Sequence, residues 1–223
     1  MGFRRIAGLS AAAVLTLGAA PAAPSPSWIE APTYPEMAAV YPAKARADRL
    51  AGQAQVTCTV TLNGRLSDCA VIRQTPAGYG FDDAAHKLVG RLRAAPGPGV
   101  FAGAEVRFLL TFRPEMAERK PVFLNDPTWA DLPALADFQA TFPKTENGVN
   151  HVRVVLACDV AAGGALAGCA VESEDPPGQG YGAGALTLVP KIKVGLMTPE
   201  GQPTVGAKVR VPIRYELTPE PRS

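Results

Sequence analysis

Hydrophobic and polar positions alternate along two stretches of the N-terminal half, with a helical pattern between them. Ala54, Val56, Cys58, Val60 and Leu62 alternate with Gln55, Thr57, Thr59 and Thr61, the period-two signature of a half-buried strand. Asn63-Gly64 follows and predicts a two-residue type I′ turn into a second strand over about 66–73. Between Phe81 and Arg93 the period changes: Phe81, Ala84, Ala85, Leu88 and Leu92 fall on one stripe of an amphipathic helix, with Asp82 and Asp83 at its positive end. Val106, Phe108, Leu110 and Phe112 then alternate with Glu105, Arg107, Leu109, Thr111 and Arg113, a third strand with one apolar face. The order is β-β-α-β.

The pattern is written twice. Cys58 to Cys69 and the following Ala-Val return as Cys158 to Cys169 with Ala-Val, the cysteines equally spaced both times. Trp28, Pro32 and Tyr41-Pro42 reappear as Trp129, Pro133 and Phe142-Pro143, and Gly78-Tyr79-Gly80 as Gly180-Tyr181-Gly182. The reading is two copies, 28–113 and 129–217, joined by a linker over 114–128 and followed by a loose tail over 218–223. In the second copy Val209, Val211, Ile213, Tyr215 and Leu217 form the third strand, while Gly184 and Pro190 cut the helix to about two turns. The fold class expected is α+β, each copy a three-stranded sheet with one helix on one face.

The cysteines follow from the hairpins. With Asn63-Gly64 or Gly163-Gly164 as turn residues, Cys58 faces Cys69 and Cys158 faces Cys169 at directly opposed positions, Cα atoms about 5.5 Å apart and within disulfide range. A three-residue loop with a bulge would instead slip the pairing by one and make the bridge diagonal. Bridges over so short a loop contribute roughly 3 kcal/mol each in the chain-entropy model. They suit an exported protein, and export is what the N-terminus predicts: Arg4-Arg5, an apolar run from Ile6 to Ala20 too short to span a bilayer, and Ala20-Pro21-Ala22 as a cleavage site, so 1–22 is a signal peptide, with an uncleaved inner-membrane anchor as the alternative.

Composition then narrows function. The 22 basic and 20 acidic side chains become 20 and 20 once Arg4 and Arg5 leave with the signal peptide, so no basic footprint for nucleic acid remains. The 47% hydrophobic content is enough for a buried core. No H-E-x-x-H, C-x-x-C, G-x-S-x-G or P-loop occurs, and His86 and His151, the two histidines, fall on polar positions. No nucleophile, base and orienter can be named, so neither enzyme, metal site nor cofactor is expected. Trp28 and Trp129, with Tyr41 and Phe142, read as anchors tying leading segments to the sheets, with a peptide-stacking surface as the alternative.

The order Tyr41-Pro42, Gly52, Val56-x-Cys58-x-Val60, Asn63-Gly64-Arg65-Leu66, Cys69-x-Val71, Pro76-x-Gly78-Tyr79-Gly80-Phe81, Ala84-Ala85, Leu88, then Val106-x-Phe108-x-x-x-Phe112, resembles the TonB C-terminal domain family, in particular its cysteine-containing members with a GYGF segment. The second copy is similar through Cys158 to Cys169, Pro176, Gly180-Tyr181-Gly182, Gly201-Gln202-Pro203 and Val209 to Tyr215. The resemblance implies a periplasmic protein in TonB-dependent transport. Its partners would be outer-membrane receptors, whose TonB box is captured as an added strand, or other periplasmic proteins. The alternative is a non-transducing interaction or envelope-scaffold protein on the same fold, and edge pairing could also give a homodimer. The expected acceptor is the edge strand Val106, Arg107, Phe108, Leu109, Leu110, Thr111 and Phe112. Copy two has Pro212 where copy one has Leu109, so its outward edge should lack one donor and bind peptide less well.

Overall fold

The computed structural model describes residues 25–118, 120, 122–141 and 151–216. The expected signal peptide, Arg119 and Pro121 of the linker, Phe142-Pro143, Leu217 and the tail lie outside the described residues. The chain is a mixed α+β structure of small sheets and short helices.

β1 (Trp28–Glu30) leads into two short helices, α1 (Tyr34–Ala39) and α2 (Ala43–Ala47), neither expected from periodicity. α1 is one and a half turns long and depends on its cap. The Thr33 hydroxyl accepts from the Glu36 N–H at 3.3 Å while the Glu36 carboxylate accepts from the Thr33 N–H at 2.8 Å. Holding those donors also keeps the Glu36 carboxyl below its ordinary pKa.

β2 (Gly52–Val60), β3 (Leu66–Thr75), the helix α3 (Phe81–Val89) and β5 (Glu105–Phe112) follow, with the two-residue β4 (Arg93–Ala94) between the last two. The sheet order is β3-β2-β5, antiparallel throughout, and β4 pairs with β1. α3 stops at Gly90, short of the Arg93 that its apolar stripe allowed.

A helical turn, α4 (Pro114–Ala117), and a two-residue strand, β6 (Phe123–Leu124), occupy the segment expected as a plain linker. Then come β7 (Trp129–Asp131), α5 (Leu135–Thr141), β8 (His151–Val160), β9 (Leu166–Asp175), α6 (Tyr181–Leu188), a 3₁₀ turn at Pro190, β10 (Lys193–Val194) and β11 (Lys208–Glu216). The sheet order here is β6-β11-β8-β9, with β6 added in parallel to the outer edge of β11.

The hairpin turns differ from expectation. Residues 62–64 form a three-residue loop, closed by the Thr61 N–H donating to the Arg65 carbonyl at 2.8 Å, and Gly64 alone of the Asn-Gly pair has positive φ. The pairing therefore starts one residue out, Val60 opposite Leu66 and Thr59 opposite Ser67. A bulge at Asp68 (φ 49°) takes up the slip, so that Thr57 faces Ala70. Gly168 (φ 56°) does the same in β9. The cysteines still meet across the strands, not diagonally. Both pairs are bonded, with Cα atoms 4.1 Å apart instead of 5.5 Å.

A second correction concerns the approach to the helices. Gly78 and Gly80 have φ of 73° and 82°, and Gly178 and Gly180 have 71° and 83°. Conformation therefore aligns Gly78-Tyr79-Gly80 with Gly178-Gln179-Gly180, two residues away from the match by letters. Tyr181, fully buried, stands where Phe81 stands, and not with Tyr79.

The buried side chains of the two sheets form one continuous cluster. Under the N-terminal sheet Tyr41, Phe81 and Phe112 pack ring to ring at 5.4–6.1 Å. Under the C-terminal sheet Phe138, Tyr215 and Tyr181 do so at 5.9 and 6.5 Å. The halves also share backbone bonds: Tyr34 N–H to Val205 C=O and Thr111 N–H to Gly201 C=O, each 2.8 Å.

Candidate functional site: the outer edge of β5

Hydrogen-bond parity decides which groups of β5 are free. The Val60 N–H donates to the Ala104 carbonyl, so even-numbered residues of β5 turn their backbone groups toward β2 and odd-numbered ones turn them outward. Glu105, Arg107, Leu109 and Thr111 thus present the outward row. Val106, Phe108, Leu110 and Phe112, also expected in the acceptor strand, bury their side chains in the core and shape the strand from below.

The row is shorter than the sequence suggested. Thr111 gives its N–H to Gly201 and its hydroxyl to the Glu200 carbonyl. The turn that does this is tight: Gly201 donates to Thr198 C=O at 2.9 Å, and the Thr198 N–H donates to Gln202 C=O at 2.8 Å. Gly201 has φ +81°, and a Cβ there would lie 2.1 Å from the Leu109 carbonyl oxygen, so both the turn and the close approach require glycine. Of the remaining outward positions, Glu105, Arg107 and Leu109, the last two line a cavity of about 570 Å³, within the usual range of ligand sites.

That cavity brings together residues far apart in sequence. Trp28, Arg107, Phe108 and Leu109 line one side, Trp129 and Met197 the other. Trp28 meets Phe108 edge to face at 5.0 Å while its backbone pairs with Ala94, so it anchors the leading segment and also walls the cavity. Trp129 does the same through Val194. Both tryptophans are half-buried. The part of Met197 and Gly201 had no local signal, because it depends on a loop of the other half. Phe142 lies outside the described residues. His86 and His151 are exposed, and the disulfides lie off this cavity.

The corresponding edge of β11 differs. The Val160 N–H donates to Ala207 C=O and the Lys208 N–H, pointing the other way, to Val122 C=O at 2.8 Å. Parity then turns Lys208, Arg210, Pro212 and Arg214 outward, so Pro212 interrupts the outward row, as expected, without breaking a bond to β8. The first positions of that row are already covered by β6: Lys208 faces Phe123 and Val209 faces Leu124. Val122 and Leu124 are buried and the Arg210 guanidinium lies 4.2 Å over the Phe123 ring. Arg210 is held there by two bonds to Glu172, at 2.7 and 2.9 Å, which lower the Glu172 carboxyl pKa and raise that of Arg210.

Residues 30–114 match the family model of the Gram-negative bacterial TonB protein C-terminal, less than half of the 223-residue chain. The chain is also similar to an uncharacterized protein of Caulobacter vibrioides, 35% identical over 63 residues, which is 28% of this chain and 63% of the relative. The chain thus spans less than two thirds of that relative. Among the described residues no helix is long and apolar enough to cross a membrane. Residues 30–114, the edge of β5 included, are thus similar to the C-terminal domain of TonB proteins, and their mixed α+β structure is consistent with that likeness.

Proposed function

We propose that this chain is an exported periplasmic binding protein of the TonB-dependent transport system, without enzymatic activity, that takes up extended peptide segments such as the TonB box of outer-membrane receptors by β-strand addition. In this reading 28–113 and 129–217 are two tandem TonB C-terminal-like units of the cysteine-containing GYGF kind, and residues 1–22 are removed on export. The observation that carries it is the outward row of Glu105, Arg107 and Leu109, the last two lining a cavity of about 570 Å³. An extended chain adds donors and acceptors at the spacing this row already has, and its alternate side chains reach the cavity.

The units are not equivalent binders. β6 and Pro212 obstruct the edge of β11, so peptide goes to β5. The test is a titration of the oxidised mature chain with TonB-box peptides of the host's outer-membrane receptors, followed residue by residue by NMR. Saturable shifts along 105–109, with 208–214 unmoved, are expected. No shifts at millimolar peptide would reject receptor recognition in favour of a scaffold role on the same fold.

A further inference from the structure

The C-terminal sheet carries its own example of an added strand, and that strand indicates which segments the N-terminal sheet selects. Register makes the two edges comparable position by position. Val106 pairs with Cys58 and Arg107 with Thr57; Val209 pairs with Cys158 and Arg210 with Ala157. Arg107 therefore stands where Arg210 stands. On β11 the segment Val122-Phe123-Leu124 sits with its two aliphatic side chains buried and its ring under the Arg210 guanidinium.

On β5 no strand among the described residues takes that place. The arginine is present without the carboxylate that fixes its counterpart: the residue in the bulge corresponding to Glu172 is Ile72, and among the described residues Arg107 has a long pairing to Glu105, 3.7 Å, with both side chains exposed. Arg107 lines the cavity walled by Trp28 and Trp129. Planar, weakly hydrated and paired only loosely to an exposed carboxylate, its guanidinium is suited to cover an aromatic face.

We propose, resting on the strand-addition reading above, that the β5 edge selects extended segments with an apolar-aromatic-apolar triplet and that Arg107 is the specificity-determining residue, covering the ring as Arg210 covers Phe123. The backbone row of β5 supplies sequence-independent bonds, and Arg107 supplies the preference.

The test uses the oxidised mature chain and two capped peptides, Val-Phe-Leu-Asn-Asp, which copies 122–126, and the same peptide with alanine for phenylalanine. The expected result is shifts at 105–109, about five-fold tighter binding of the phenylalanine peptide, the scale of one partly desolvated cation–π contact, and loss of that preference in Arg107→Ala, to which the two peptides then bind alike. Arg107→Lys keeps the charge and should keep only part of the preference. Arg107 is exposed, so the variants should fold, and unchanged amide spectra away from β5 check this. Equal affinity for both peptides, insensitive to Arg107→Ala, would overturn the selection and leave strand addition standing. So would silence toward both peptides while a TonB-box peptide still shifts 105–109. Silence toward all three would overturn the selection and the proposed function together.

Discussion

The outer strands of the two sheets are built alike and finished differently. β5 and β11 each pair through one side with a cysteine-bearing strand and turn every second backbone group outward. On β11 the intervening segment 122–124 and Pro212 use up most of that row. On β5 a glycine turn closes the far end, taking the Thr111 N–H and packing against the Leu109 carbonyl. An exposed edge is an aggregation hazard, so a folded chain covers it or keeps it short. The C-terminal edge is covered by the chain itself, whereas the N-terminal edge is kept short and open, which is what a binding edge needs.

The largest effect tests whether the two sheets stand or fall together. Phe81 and Tyr181 are fully buried at the same place under their sheets. Phe81→Ala removes a ring packed on Tyr41 and Phe112, Tyr181→Ala one packed on Tyr215, and each should cost about 3–5 kcal/mol in urea unfolding. Because the buried cluster is continuous, either change should lower amide protection in both sheets. If Phe81→Ala left β8 and β11 as protected as before, the halves would be energetically separate and their comparison would be one of two independent domains.

A middle-sized effect isolates the closure of β5. Gly201→Ala puts a methyl group 2.1 Å from the Leu109 carbonyl at a φ of +81°, so the turn must move, at a cost of about 1–3 kcal/mol. The bond it supplies to Thr111 should be lost. Hydrogen exchange at the Thr111 amide should then quicken, while the Lys208 amide, bonded to Val122, keeps its rate. A TonB-box peptide should gain contact with Thr111 in this variant. Unchanged exchange at Thr111 would mean that the turn does not close the edge in solution.

Much of this was legible from residues alone, for a physical reason. Period-two alternation over 54–60 and 105–112 and the equal cysteine spacing are local signals, and the strands and both bridges are where they place them, except that the strand ends at Val60 and leaves Leu62 exposed in the turn. Turn length is not fixed locally: Asn63-Gly64 suits a two-residue turn, but a three-residue loop with a compensating bulge at Asp68 reaches the same cysteine pairing. Matching Gly-Tyr-Gly by letters hid that positive φ, not the tyrosine, is what the two helix approaches share. Phe138, which has no counterpart in the repeat as read by letters, meets Tyr215 edge to face. The outward row could be counted from β5 alone, but its closure by Gly201 could not, since that contact joins residues 90 positions apart.

The smallest effect lies at the seam between the halves. Tyr34 donates its backbone N–H to Val205, and its side chain is buried with no hydrogen-bond partner for the hydroxyl, unlike Tyr41, whose hydroxyl donates to the Leu50 carbonyl. Burial, reinforced by the nearby Glu115 carboxylate and opposed by Arg113, pushes the Tyr34 pKa from 10.0 up to about 12. A folded pKa above the unfolded one means that the neutral phenol is the form the fold prefers. Its contribution is complete below pH 10 and is lost as pH rises toward about 12. Tyr34→Phe removes a buried hydroxyl that bonds to nothing, so stability at neutral pH should stay within about 0.5 kcal/mol or rise slightly. Between about pH 10 and 12 the variant should lose less stability than the parent chain, keeping the part of the slope due to Tyr41 and Tyr215, which burial also raises. Unfolding curves at pH 7 and across that window decide it. Equal slopes would mean that the seam opens before Tyr34 titrates, and a marked loss at neutral pH would mean that its hydroxyl has a partner in solution and joins the halves more firmly than its backbone bond alone.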